Sequence, residues 1–473
     1  MTGGATDTWG IQREICLRAD PDEEGNPRRP PFRPVMAAFR IDGEMRGAPL
    51  LTAISLVAEQ TDVLHARLRR SAGRFVHLPE AGATGMPIVT VDLTGSPPPD
   101  QWRRLRHLAG TLRAGLNDMQ DGPLGTMLVA RTGEHERVLC GIFDHSTMDL
   151  HGISSWMRRL GQVYGRLEAG DAPGAEAAAR PGIGFLPYVR EQVANVGERD
   201  RAKRFWGSAA RAGVPIEMPG CRWRPWQEIR ATVNHVHEFP AADIRAFAGV
   251  CQVTGGSRPL VFLAALTLVI AGSADIGFAP ITYVRHGRPT TGPAPVGPLL
   301  ESVVTCGPRP PAGPVASWMA DFCAVNAAAP SLRGWALADF GGLDTSMELR
   351  RFMFNAPFPR GKLRFGTLRG VPVALNTALP GESRPIKHCT GIRLFAGSWE
   401  RMYATIHHDP SDLPDGIALL DAAGAVLRRV AERPETAVPD VMAMAAGQMA
   451  AGSSRRTIPP GRTRPPRRSG FRA

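Results

Sequence analysis

The sequence predicts an α/β protein built of two sandwich lobes, and three observations predict it. Strand-like and helix-like patterns alternate in both halves of the chain. At 473 residues and 43% hydrophobic content, the chain can bury enough core for two lobes of roughly two hundred residues each. An Ala-, Gly- and Pro-rich stretch, Ala172 to Ile183, interrupts the pattern near the middle and reads as a link.

Taken in order, residues 1–26 are expected to be a disordered N-terminus, and 27–180 the N-terminal lobe. In that lobe Val138 to Phe143 is an apolar run that reads as a buried strand. Gly152 to Leu167, apolar at Ile153, Trp156, Leu160, Val163 and Leu167, reads as a helix. The second lobe is expected over 181–438. There Leu260 to Ala271 follows Arg258-Pro259 and precedes Gly272, which fits a buried helix too short to span a bilayer. Gly361 to Gly370 lacks the strand, turn and helix setting of a phosphate loop and reads as hairpin turns. Residues 439–473 are expected to be a disordered Arg/Pro-rich tail.

Between the strand ending at Phe143 and the helix starting at Gly152 lies Asp144-His145-Ser-Thr-Met-Asp149, an HxxxD element in a turn held by packed elements on both sides. Imidazole titrates near neutrality, so a neutral His145 can take a proton from an attacking amine or hydroxyl and return it later. Asp149 has two readings at this spacing: it bonds the ring and fixes its tautomer, as in a catalytic triad, or it pairs with a distant cation and shapes the loop.

Other features mostly exclude. The formal charge of +12 is concentrated in the tail, where Arg455, Arg456, Arg462, Arg464, Arg467, Arg468 and Arg472 all follow the last acidic residue, Asp440. No aromatic residues interleave with those arginines to stack bases, so nucleic acid is not an expected partner. Such an arm reads as solvated, with an electrostatic grip on an acidic carrier protein as the alternative. The seven cysteines, at 16, 140, 221, 251, 306, 323 and 389, show no CxxC spacing, which argues against a disulfide framework or zinc site and for reduced thiols in a cytoplasm. Met1 to Asp20 carries neither a basic start nor an apolar run, so neither a secretory leader nor a membrane association is expected. His235 and His237 share one side of a strand, yet the sequence places no third ligand near them; they read as a polar outer face, and no metal is expected. His407-His408-Asp409, closed by Pro410, reads as a strand running into a turn.

The HxxxD element resembles the active-site motif of the condensation-domain family, the peptide-synthetase members of the chloramphenicol acetyltransferase-like acyltransferases, whose pattern is HHxxxDG after a strand. Asp144 stands at the first His, His145 at the second and Asp149 at the Asp. Other stretches follow in the family's order. Met36 to Leu68 is similar to the opening strand and helix, and Gly122 to Ala130 to the strand before the motif strand. Phe185 to Arg190 with Arg204-Phe-Trp206 is similar to the lobe-linking region. Pro280 to Pro289 resembles an Asn-Arg-x-x-Pro stretch, Pro295 to Ser302 a Val-Gly-x-Phe-x-Asn stretch, and Met353-Phe-Asn355 a late strand.

The resemblance implies two chloramphenicol acetyltransferase-like lobes forming a V-shaped pseudodimer around a central tunnel. His145 would act there on the acceptor nucleophile, and Asp149 would be structural, salt-bridged to Arg285. It also implies a free-standing, monomeric acyltransferase with no bound cofactor. The donor would be a thioester on a carrier protein's phosphopantetheine arm or on coenzyme A, and the acceptor a small-molecule amine or alcohol. The same fold, as a catalytically inert scaffold binding a carrier or pathway enzyme, is the alternative. Three residues depart from the pattern: Asp144 for the first His, Leu150 for the Gly after Asp149, and Glu301 for the usual Asn. A glycine at position 150 would permit a positive φ or a close backbone approach, and Gly152 is placed to supply it two residues later.

Overall fold

A computed structural model describes the chain from Ala5 to Arg455, except residues 30–33, 73, 80–84, 117, 213–215, 217, 219–228, 290–293, 308–312, 330–334, 337–338, 341–350, 357–361, 374, 376–383, 388–389, 396–401, 411 and 414. Cys221, Cys389 and the tail arginines from Arg456 onward lie outside the described residues.

The chain opens with β1 (Thr6–Asp7), α1 (Gly10–Arg18), β2 (Asp20–Pro21) and β3 (Pro27–Arg29). The expected disorder of residues 1–26 is therefore overturned from Ala5 on. Trp9, the N-cap of α1, is buried in the first core and Ile15 and Cys16 in a smaller cluster, and Trp9 Nε1 donates to the carbonyl of Leu300 in the other lobe at 3.2 Å. A nine-residue helix is too short to be stable by itself, so its order comes from docking rather than local propensity.

Next come β4 (Val35–Asp42), α2 (Gly47–Glu59), β5 (Ala66–Ser71), β6 (Arg74–Pro79), β7 (Ile88–Asp92), α3 (Pro98–Gly115), β8 (Gly125–Gly133), β9 (Glu136–Phe143) and α4 (Leu150–Glu168). β4, β9, β8 and β7 form most of a six-stranded sheet with both faces covered. Along β9, Val138, Cys140 and Ile142 pack under α3, while Leu139 and Phe143 pack under α2 and α4. Cover on both faces is why 138–143 reads as continuous rather than alternating. α4 presents Ile153, Trp156, Leu160 and Val163 to that core, the face its spacing predicts.

The stretch Ala172 to Ile183 is not an open link: most of it is α5 (Ala172–Ala179), packed on α4 through Ala175 and Ala179. α6 (Phe185–Val193) also buries Phe185, Tyr188 and Val189 in the first lobe's core. The second core begins with Ala202 and Trp206 on α7 (Val196–Ala212), so the lobes divide between α6 and α7, later than the expected 180/181.

The second lobe contains β10 (Ile229–Glu238), α8 (Ala241–Thr254), α9 (Arg258–Ser273), β11 (Thr282–His286), β12 (Leu300–Val304), α10 (Val315–Ala327) and β13 (Phe352–Asn355). It continues through β14 (Leu363–Phe365), β15 (Leu368–Val373), β16 (Arg384–Lys387), β17 (Thr390–Phe395), β18 (Tyr403–His408), α11 (Gly416–Glu432) and α12 (Val438–Arg455). Its seven-stranded sheet runs β12-β11-β13-β17-β18-β10-β16. Helices α8 to α12 cover one face. α9, with Pro259 in its first turn, is buried from Val261 to Ala271 at their centre. Among the described residues no single helix is long and apolar enough to cross a membrane.

Two expectations for this half change. β14 and β15 form the hairpin that the glycines predict, with Gly366 at φ +59, but they leave their own lobe and complete the first lobe's sheet in the order β14-β15-β4-β9. Residues 439–455 are helical in α12, whose Val441, Ala445 and Met449 pack into the second core, so the disordered tail cannot begin at 439. His235 and His237 do share a side of β10, but it is the side toward α11: His235 stacks on His408 and His237 Nδ1 lies 3.6 Å from Asp421. Among the described residues no three His, Cys, Asp or Glu side chains are grouped to hold a metal.

Candidate active site

β9 ends at Phe143 and delivers His145 into a tight turn. The Asp144 N–H donates to the carbonyl of Leu124 at 2.9 Å, and the Asp144 carbonyl accepts from the N–H groups of Thr147 and Met148, both at 3.1 Å. The Asp144 carboxylate folds onto its own turn, accepting from Ser146 N at 2.8 Å and from the Ser146 hydroxyl. It thus acts as a turn former at the position of the family's first His, and burial raises its pKa despite those bonds. From the opposite side Gln12 Nε2 donates to the carbonyl of Ser146 at 2.6 Å.

Gln12 belongs to a buried chain whose polarity is determined. Its Oε1 accepts from the backbone N–H of Trp9 at 2.9 Å, which leaves Nε2 as the donor to Ser146. His77 Nε2, 3.1 Å from the same Oε1, must then carry a hydrogen. Burial pushes the His77 pKa down to about 3, so this ring is neutral and protonated at Nε2.

Asp149 answers the question its spacing left open. It is the N-cap of α4: Oδ1 accepts from the Gly152 N–H at 2.6 Å. Both carboxylate oxygens also accept from Arg288, Nη1 to Oδ2 and Nη2 to Oδ1, each at 2.8 Å. Arg288 Nη2 further donates to the Gly297 carbonyl at 2.8 Å. Asp149 is fully buried and Arg288 nearly so, making this a bidentate ion pair between lobes.

The expected Asp149–Arg285 pair is therefore corrected to Asp149–Arg288. Period-two alternation along β11 is the reason. Tyr283 and Arg285 point to the helix-covered side, where Tyr283 Oη donates to the carbonyl of Asn326 and Arg285 Nη1 to that of Ala329, at the C-terminal end of α10. Directly opposite Arg285 in the ladder stands Glu301, which takes its Nε at 3.0 Å. The departure from Asn to Glu at 301 thus gives Arg285 a local partner, and Arg288, beyond the strand end, reaches Asp149.

Leu150 is the first residue of α4 with an ordinary backbone, and its side chain packs against the first core, so position 150 requires no glycine. Gly152 is where close approach is needed: a Cβ there would meet the Gly297 carbonyl oxygen at 2.8 Å and Met148 Sδ at 3.2 Å.

His145 itself is half-buried amid buried neighbours. Desolvation lowers its pKa. A backbone hydrogen bond and the charges of Asp144 and Asp149 oppose the shift, while the Arg393 guanidinium reinforces it. The net effect holds the ring neutral at physiological pH, the protonation state a base requires. On the first turn of α4, His151 contacts His286 of β11, with ring centroids 4.9 Å apart. Cys140, three residues before the end of β9, packs under α3.

The structure brings together His145, Asp149, Asp144, Leu150 and Gly152 and leaves Arg285 aside. Sequence reasoning missed Arg288, Gln12 and His77. Alternation of Tyr283 with Arg285 was the available signal for the first. Trp9, Gln12 and Ile15 at helical spacing were the signal for the second. Two cavities of about 490 and 450 Å³ lie elsewhere, one between α11 and α12 beside Met444, the other beside β1 and Arg190.

No protein-family model matches the chain, and no curated protein does. Solved structures do. The X-domain from teicoplanin biosynthesis is 19% identical with a TM-score of 0.71, over 93% of this chain and 98% of that one. The first condensation domain of the calcium-dependent antibiotic synthetase, bound to a substrate analogue, is 16% identical with a TM-score of 0.68, over 93% and 99%. A mutant starter condensation domain of rhizomide synthetase in complex with C8-CoA is 15% identical with a TM-score of 0.69, over 92% and 96%. Two mixed sheets, each backed by helices, with an HxxxD turn at the junction of the lobes, identify this chain's fold as that of the condensation domains.

Proposed function

We propose that the protein is a free-standing condensation-type acyltransferase. In this reading His145 takes the proton of an acceptor amine or alcohol as it attacks a thioester carbonyl. The tetrahedral intermediate then collapses, the C–S bond breaks, and the thiol leaves with a proton while an amide or ester remains. Backbone N–H groups near the turn would carry the oxyanion. The donor is an acyl or aminoacyl thioester on a carrier protein's phosphopantetheine arm or on coenzyme A, and no bound cofactor or metal is required.

The observation that carries this reading is His145 itself: an imidazole kept neutral by burial, in a turn held from three sides by Leu124, Gln12 and the Asp149–Arg288 pair. A fixed base of suitable pKa is what acceptor deprotonation requires. The C8-CoA complex of the rhizomide domain supports a thioester donor by analogy of fold. The test is transfer of a labelled acyl group by wild type and by His145→Ala, where base removal should slow turnover by about 10² to 10⁴. Equal rates in both proteins would end the assignment.

A second reading is a binding scaffold that performs no transfer. The teicoplanin X-domain favours it: another structure holds that domain in complex with OxyB, again at 19% identity, with a TM-score of 0.70. Absence of turnover with any thioester, together with retained binding of a carrier protein, would select this reading.

A further inference from the structure

Among the described residues, the open face of the seven-stranded sheet carries a cation, Arg393, that the mechanism above does not use. On β17, Ile392 and Leu394 enter the helix-covered core, so Arg393 between them points to the opposite face, where it is exposed. The registers place Asn355 of β13 on one side of it and Thr405 of β18 on the other. Val284 of β11 and Val236 of β10 complete the same row. All four are at least partly exposed, and Val236 is 64% exposed.

This face is the one beneath the motif turn. His286 alternates with Arg285 on β11 and so faces the same way as Val284, and it contacts His151 on the first turn of α4. Arg393 lies two strands further in and level with Val284, roughly 10 Å across the ladder and about 7 Å along it from His286, a span an arginine side chain and a small ligand bridge together. That placement brings the guanidinium near enough to the His145 ring for its charge to add to the downward shift of the imidazole pKa.

We propose that Arg393, flanked by Asn355 and Thr405, is a carboxylate subsite facing His145, and that the acceptor is a free amino acid or hydroxy acid. The inference rests on the transfer reading above and narrows its substrate class. A carrier-bound acceptor has its carboxyl masked as a thioester and gives the guanidinium no anion. A free acid presents its carboxylate to Arg393 and its amine or hydroxyl to the base. The phosphate of a phosphopantetheine arm is also an anion, but it sits at the far end of that arm from the reacting thioester.

Benzoate, benzamide and inorganic phosphate serve as probes, read by NMR titration of the His145 ring, with His145→Gln for assignment. A carboxylate seated on Arg393 offsets its charge, so benzoate should raise the His145 midpoint in wild type and benzamide should not. Arg393→Met should raise the midpoint by itself and abolish the benzoate effect, and Arg393→Lys should restore part of it. No benzoate effect, an equal effect in the Met variant, or a larger effect from phosphate would overturn the subsite.

In the transfer assay Arg393→Met should raise KM for a free-acid acceptor about ten- to a hundredfold, the loss of one charge-assisted bond, and leave its methyl ester unaffected. A wild type that prefers the ester would also overturn the proposal. Lack of all transfer would instead strike the acyltransferase reading, which the benzoate titration does not depend on.

Discussion

Gln12 donates from Nε2 to the carbonyl oxygen of Ser146 at 2.6 Å, so the residue after the candidate base is held by a helix 134 positions earlier in the chain. The bond is buried and oriented by two further partners, Trp9 and His77. Gln12→Glu keeps the size but sets a carboxylate against the carbonyl and removes the donor. Leaving buried polar groups mispaired costs about 1 to 3 kcal/mol, more if the new acid stays charged. The expected outcome is a lower unfolding midpoint in urea and, if transfer is observed, a reduced kcat with KM little changed.

Arg288 and Arg285 should behave differently despite lying three residues apart. Removing Arg288 strands the fully buried Asp149, a loss on the order of 3 to 5 kcal/mol, and frees the N-terminus of α4. Hydrogen exchange of the amides from Ser146 to Gly152 should accelerate in Arg288→Met. Replacing the Arg285–Glu301 pair together, as Arg285→Met with Glu301→Gln, should leave those amides protected, because that pair belongs to β11, β12 and α10. The opposite pattern would restore Arg285 as the holder of the motif.

His77 predicts the acid limb of stability. Its folded pKa of about 3 lies below the ordinary value of 6.5, so between those values the unfolded chain binds a proton that the native state refuses. Its contribution is fully present above pH 6.5 and is lost progressively as pH falls toward 3, with a limiting slope of about 1.4 kcal/mol per pH unit. Urea titrations from pH 7 to pH 4 should show a shallower decline for His77→Gln than for wild type. Parallel curves would assign the decline to other groups.

Gly152→Ala drives a methyl group to 2.8 Å from the Gly297 carbonyl, where backbone must yield. A cost of about 1 to 3 kcal/mol is expected, as for overpacking a tight contact. Leu150→Gly, which restores the family's spelling, should also destabilise, because it removes a side chain packed on the first core and places glycine in the first turn of α4. Thermal melts of the two variants check both; a more stable Leu150→Gly protein would show that position 150 does require glycine.

Much of the fold was legible because its signals are local. The apolar run at 138–143, the period of α4 and the proline-led, all-apolar α9 stand in the structure where the sequence puts them. His145 and Asp149 were legible for the same reason, since strand, turn and helix are contiguous. What escaped was set by distant packing. α1 is ordered through its N-cap Trp9 and Gln12 by contacts with Leu300 and Ser146, both distant in sequence. Arg285 and Arg288 both fitted the spacing of a family motif, and only strand alternation, with Glu301 waiting across the ladder, separated them.

The hairpin of β14 and β15 crosses from the later half to pair with β4 along Ala38 to Asp42. A fragment ending near Asn195 would contain the whole motif yet leave the backbone of β4 without its neighbour, an open strand edge that invites association with other chains. The two halves are consequently strapped into a single folding unit, and whatever opening admits a substrate must occur with that strap in place. The region carrying His145 cannot be studied as an excised piece without first supplying residues 363–373.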